Sequence, residues 1–383
     1  MSILIIVLFC HFLTAFTALG MPLFMPRMLN SLSTGNTDYL VGIMFVVPVL
    51  CSAFSAPWWG RFADKYGKKR SLLRSQLGLT CGFLMSGFAD TLTLFSLGLI
   101  VQGISGGTLA ASNAYLSSMY KGPSLAKSLN LTQFSARLAL VSAPLLLGYF
   151  TETDQPLLVY RYLALLPCTA LIISLFLPKD EHVIDVAIKP TNKPSKNTAF
   201  SQLLYLQFLF CFAMVVTFPY FLPYVQSLGD VRDTMAGFYY SLPHLVYLLL
   251  AFFIAKLTLS AHLQSLSGFV LLGSACLGQF ALNTSEGLII YRLLFGLGML
   301  LSYSGLHLFL SERLEHQKAG LSFGRFDAWG KWAGVFAGFS ASFISQFFSL
   351  SWPFLLATVA CTVAILILIL NGKESPTYVD PIT

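Results

Sequence analysis

The chain has 383 residues, of which 56% are hydrophobic, 34 are Phe and only 10% are charged. Soluble domains sit at roughly 45–50% apolar content, so this composition excludes one and places the chain in a bilayer. The formal net charge of +7 follows from basic residues gathered between apolar runs, and no basic patch interleaved with exposed aromatics points to nucleic acid.

At roughly 20 residues per span plus short turns, a chain of this length accommodates about twelve helices. Spans 1 to 12 are predicted at residues 3–25, 39–60, 71–89, 92–117, 128–150, 157–177, 200–225, 235–255, 264–282, 287–310, 319–347 and 352–370. The first lacks a basic n-region and exceeds the h-region of about 7–15 residues of a signal peptide, so it is expected to stay in the mature protein. Span 2 runs into Gly60-Arg61-Phe62-Ala63-Asp64-Lys65-Tyr66-Gly67-Lys68-Lys69-Arg70, where five of eleven residues are basic. Such a turn belongs on the cytoplasmic side. With an even number of spans both termini then lie in the cytoplasm, and 16 of the 23 Lys and Arg fall in turns assigned to that side. Only Arg27, Arg161 and Arg232 fall on the other. Seven cysteines lie in apolar spans without paired spacing and read as packing residues.

Within the basic turn, Gly60, Asp64, Lys65, Gly67, Lys68 and Lys69 fill Gly-x-x-x-Asp-(Arg/Lys)-x-Gly-(Arg/Lys)-(Arg/Lys). A bare topogenic turn needs no aspartate at a fixed offset from two glycines. The run resembles the loop between the second and third helices of the major facilitator superfamily. That resemblance implies an all-α polytopic membrane protein with twelve transmembrane helices in two pseudosymmetric six-helix bundles. It also implies a gating role for the loop, with the positive N-terminal end of span 11 attracting Asp64 in the outward-open state.

The sequence carries a second sign of two halves. Pro178 to Thr198 holds three prolines and mixed charge and reads as a linker. The expected organisation is a bundle over 1–177, a linker over 178–199, a bundle over 200–370 and a cytoplasmic tail over 371–383. Pro22-Leu23-Phe24-Met25-Pro26 returns as Pro219-Tyr220-Phe221-Leu222-Pro223, Gly42 and Pro48 as Gly237 and Pro243, and Ala139 and Ala143 as Ala333 and Ala337. Duplicated halves place a substrate site at their interface near the bilayer midplane. Ala139-x-x-x-Ala143-Pro144-x-x-Leu147-Gly148 resembles a degenerate copy of the Gly-Pro-rich motif of drug-proton antiporters, and Arg292-Leu-Leu-Phe-Gly296 is similar to an Arg-x-x-x-Gly signature usually read in span 4.

Ionisable residues inside spans are costly and become functional candidates. Arg137, Lys331, Arg292 and Arg325 are basic, His11, His244 and His307 can become so, and Asp327 is the acidic residue well inside a span. Arg137 and Lys331 occupy symmetry-related helices and are expected to bind an anionic substrate, with Asn113, Tyr115, Gln133, Trp332, Trp329 and Tyr303 lining the pocket. Asp327 lies one turn before Lys331 in the order that favours an ion pair. Expected to be buried beside Phe326 and Trp329, it is the first candidate for proton coupling, with His11, His244 and His307 behind it. The segment around Asp327 and Lys331 also resembles, more faintly, superfamily members that carry carboxylate siderophores.

No Gly-x-x-x-x-Gly-Lys-(Ser/Thr) loop and no His-Glu-x-x-His pair appears, so neither a nucleotide motor nor an enzyme is expected. The reading is a monomeric, cofactor-free, proton-coupled transporter of a small anionic metabolite or siderophore across the inner membrane. The alternatives are a broad drug-efflux antiporter and a receptor that kept the fold without transport.

Overall fold

Proline and glycine cut the apolar runs into helices at the places where the sequence repeats. The structure, a computed structural model, describes all residues except 1–2, 34–37, 121, 152–154, 180–197, 255–258, 313–318 and 372–383. All regular structure among the described residues is helical. Span 1 is a helix over Ile3–Gly20, a 3₁₀ turn over Met21–Phe24 and a short helix over Met25–Leu32. Pro22 and Pro26 are the second residues of the latter two, in the first turn, where a missing N–H costs nothing. Span 7 repeats the device, Thr198–Val215 followed by Phe221–Ser227.

The remaining spans are Asp38–Tyr66, Lys68–Gly87, Leu92–Ser105 continued by Thr108–Met119, Gly122–Thr151, Leu157–Leu163 continued by Leu165–Leu175, Asp233–Ile254, Ala261–Ala281, Leu288–Glu312, Ala319–Phe347 and Trp352–Asn371. Among the described residues, nine helical segments are long and apolar enough to cross a membrane. Lys68–Gly87, Thr198–Val215 and Ala319–Phe347 complete twelve; the first and last are diluted by charges at the basic-loop end. In the nine segments only 17–50% of the most apolar window is buried within the protein. The rest, including Phe9, Leu146, Phe252 and Leu370, faces outward, a surface that hydrocarbon satisfies and water does not. The linker expected over 178–199 falls almost wholly outside the described residues, as does the tail.

Two seams join the halves, span 2 on span 11 and span 5 on span 8. They are related residue by residue. A Cβ on Gly42 would stand 2.5 Å from the Gly338 carbonyl, and one on Gly237 would stand 2.1 Å from the Pro144 carbonyl. Both contacts lie toward the end of the molecule opposite the Gly60–Arg70 loop. The seams are therefore shut at this far face. Tyr220 ties the first seam, its hydroxyl accepting from Gly42 N at 3.3 Å and donating to Ser342 Oγ at 3.3 Å, while Ser342 Oγ donates to the Tyr39 carbonyl.

Candidate functional site

Helix periodicity carries the seams inward to the charged residues. Arg137 and Gln133 precede Pro144 by 7 and 11 residues, and Lys331 and Asp327 precede Gly338 by the same steps. Each set therefore lies on one face of its helix. At the far end these faces are packed; toward the loop they diverge. Gln133 is exposed, Lys331 and Asp327 side chains are 45% and 68% exposed, and nothing lies within 4 Å of a Cβ built on Gly334. The result is a crevice between the halves, closed at the far face and open at the loop face.

Arg137 crosses this crevice from the first half into the second. Its Nη1 lies 3.2 Å from His244 Nδ1, and its guanidinium stands over the rings of Tyr247 at 4.5 Å and Tyr303 at 5.8 Å. Arginine can only donate, so His244 presents the Nδ1 lone pair and carries its proton on Nε2. Two ring faces and one nitrogen thus receive a cation that has no carboxylate partner among the described residues. Met299 Sδ adds a soft contact at 4.0 Å. His307 stacks on Tyr303 with centroids 3.9 Å apart and donates from Nδ1 to the Tyr303 carbonyl at 2.9 Å.

Across the crevice Lys331 Nζ lies 2.9 Å from Asp327 Oδ2. Asp327 is not buried beside Phe326 and Trp329 as the sequence suggested. Phe326 turns into the second half against His307, and Trp329 packs on Tyr205 and Phe208. The carboxylate instead faces the open crevice. Trp332, 42% exposed, meets Phe54 of span 2 edge-on at 6.1 Å.

The other expected residues separate into two groups. Gln133 faces the crevice. Tyr115 does not: it is fully buried within the first half, its hydroxyl donating to the Pro178 carbonyl at 3.0 Å, which removes it from the lining. Asn113 Oδ1 accepts from Thr132 Oγ1 at 2.8 Å. His11 is buried with Nδ1 3.3 Å from Ser135 Oγ, between spans 1 and 5. Arg292 is buried in the second half, donating from Nε to Tyr239 O at 2.9 Å and from Nη2 to Tyr240 O at 3.0 Å. Pro243 has no N–H, so the Tyr239 carbonyl four residues earlier lacks its helical donor; Arg292 supplies one.

The basic loop has its own architecture. Gly67 has φ +104° and precedes the helix that starts at Lys68, a backbone that only glycine adopts freely. Lys69 Nζ donates to the Leu175 and Leu177 carbonyls at 2.8 and 2.5 Å, capping the end of span 6 with positive charge. Lys68 Nζ reaches Ser117 Oγ at 3.4 Å, and Lys65 lies 5.2 Å from the Tyr66 ring. Gly60 and Asp64 are exposed.

The sequence reading missed Tyr247 and Met299. Neither stands out in an apolar span. Their positions emerge only once Arg137 is seen to reach across the crevice.

A family model described as Major Facilitator Superfamily matches residues 4–264. Multidrug resistance protein MdtG of Enterobacter lignolyticus is 34% identical over 110 residues, 28% of this chain and 26% of that protein. The class H tetracycline resistance protein of Pasteurella multocida is 35% identical over 122 residues, 30% and 29% of the two chains. The match thus spans less than a third of either relative. Among solved structures, a POT family transporter in complex with 5-aminolevulinic acid superposes with a TM-score of 0.81 at 15% identity, covering 97% of this chain and 96% of the other. A D-xylose-proton symporter gives 0.79 at 12% identity over 96% of both chains. These two likenesses are of fold. The family match extends over well more than half of the chain, and the chain belongs to the Major Facilitator Superfamily of membrane transporters.

Proposed function

We propose that this protein is a secondary active transporter that moves a small anionic solute between its two six-helix halves, residues 1–177 and 200–370, by alternating access. The observation that carries the reading is Arg137, a cation without a carboxylate partner among the described residues, held by His244, Tyr247 and Tyr303 at the head of a crevice open on one face only. Among the described residues that face the crevice at its centre, Lys331 and Arg137 against Asp327 leave one positive charge in excess. Carboxylate siderophores and anionic metabolites fit this charge. By the distribution of Lys and Arg, the open face is cytoplasmic, the membrane is the inner membrane and the working unit is the monomer.

The test is binding to purified protein. Arg137→Gln and Lys331→Gln are each expected to weaken an anionic substrate by about 1–3 kcal/mol, the scale of a lost charge-assisted hydrogen bond, and to leave neutral compounds nearly unaffected. Insensitivity to both substitutions defeats the anion reading. A second reading, efflux of drugs, draws on the MdtG and tetracycline resistance relatives and on the aromatic lining. Under it, affinity for cationic or neutral aromatic compounds survives Arg137→Gln and falls when Tyr247 and Tyr303 are replaced by Ala.

Energy from a proton gradient needs a group that gains and loses a proton in the cycle. Asp327 faces the crevice, and an exposed i,i+4 pair contributes only about 0.3–0.5 kcal/mol, so Lys331 releases it easily. Asp327→Asn is expected to abolish proton-driven accumulation in proteoliposomes while exchange down the substrate's own gradient continues. Accumulation by the Asn variant under an imposed pH gradient would return Asp327 to a structural role.

A further inference from the structure

The far end of the seam between spans 5 and 8 holds a carboxylate that the substrate site does not use. Asp233, first residue of span 8, has no exposed surface, an unusual place for an aspartate unless it is paired. Its oxygens accept four hydrogen bonds: from Arg27 Nε and Nη2 at 2.8 Å each, from Gln226 Nε2 at 2.8 Å and from Thr151 Oγ1 at 3.3 Å. Arg27 and Thr151 belong to the first half, Gln226 and Asp233 to the second. The Arg27 contact is a bidentate fork, the strongest form of such a pair. Gly148 seats against the Asp233 backbone beside it: a Cβ there would stand 2.7 Å from the Asp233 carbonyl.

On the other seam the far-face contacts described beside Gly42 are made by the neutral hydroxyls of Tyr220 and Ser342. Ionic closure is thus seen on the span 5 to span 8 side. Opening the far face would take Arg27 and Thr151 away from Asp233 and leave it Gln226 and incoming water. The carboxylate is dry when the seam is shut and wet when it parts, so it gains a replacement for each donor it loses. Such a contact holds without being permanent.

We propose that Arg27 and Asp233 form a latch that keeps the far face closed and is broken once in each transport cycle. The proposal rests on the alternating-access reading, and its test reads conformation rather than transport. Ser241 is 2% exposed and lies on span 8 between Gly237, which packs on Pro144, and His244, which meets Arg137. A thiol at Ser241→Cys is therefore reachable from the far side only when this seam parts. In right-side-out vesicles, a membrane-impermeant maleimide is applied to Ser241→Cys protein, with the protein lacking that change as the blank for native cysteines. Asp233→Asn and Arg27→Gln are each expected to raise the labelling rate by roughly 10- to 100-fold. The exchanged pair Arg27→Asp with Asp233→Arg is expected to bring it back toward the starting rate. Unchanged labelling in both single variants overturns the latch. So does labelling raised equally in the singles and the exchange, because that outcome assigns the site to ordinary packing.

Discussion

Gly237→Val is expected to insert and fold yet fail to close its far face. The glycine lies on the seam between halves rather than in the core of either, and a Cβ there would stand 2.1 Å from the Pro144 carbonyl and 2.7 Å from its carbon. Both are backbone atoms of a helix held on its other sides, so no flexible side chain swings away. Overpacking of this kind costs about 1–3 kcal/mol, and the cost is relieved by parting the seam. A shift of that size moves a two-state equilibrium roughly 5- to 150-fold toward the far-open form. Spin labels at Tyr149 and Met235, both exposed near the far ends of spans 5 and 8, would report the lengthened distance, and transport would fall with it. Gly42→Val, the twofold equivalent, is expected to act in the same direction from the other seam. Wild-type distances in both variants would mean that the seams are looser than their contacts indicate.

The second large effect concerns Arg292. Its side chain is 1% exposed, its guanidinium lies 4.4 Å from the Phe221 ring and 4.9 Å from that of Phe295, and it tops up the carbonyl that Pro243 leaves open. Arg292→Ala removes this support and opens a cavity among helices 7, 8 and 10. The expected loss is about 3–5 kcal/mol, which for a half-bundle of this size lowers the midpoint of thermal unfolding by roughly 6–20 °C. Arg292→Met separates the two contributions. If volume dominates, methionine restores most of the midpoint; if the proline carbonyl dominates, it restores little and Arg292→Lys does better. A midpoint unchanged in Arg292→Ala would deny the residue its structural role.

How much of this was legible in the residues depends on the range over which each feature acts. The halves and the spans were readable because apolar runs are local and the order of prolines and glycines repeats, whereas the breaks inside spans 1, 4, 6 and 7 were not read. The pairing of Asp327 with Lys331 was readable for the same reason, one turn being a local distance. Burial of Asp327 was misjudged because a helix face is legible while what lies opposite it is not; here the opposite side is an open crevice. Tyr115 was misplaced for the same cause, an aromatic in an apolar span looking alike whether it lines a cavity or fills a core. Asp233 was invisible. At a helix start it reads as a solvated acid, and its partner Arg27 is 206 residues away, a distance that only the tertiary fold closes. Arg137 was identified as a cation of interest and Tyr303 as a candidate lining residue, but the lodging of the guanidinium in the other half also depends on Tyr247, which no local pattern marks.

That lodging bears on how tightly any ligand is held. The guanidinium of Arg137 is already attended by a nitrogen lone pair and two π faces, so an arriving anion does not meet a bare charge. Its capture is an exchange in which His244 and the rings give up what the newcomer supplies. Only the difference between the two sets of contacts appears as affinity. A carrier gains from such a small difference: the same incumbents that weaken capture on one side stand ready to displace the cargo on the other, and unloading needs no contact stronger than those already present.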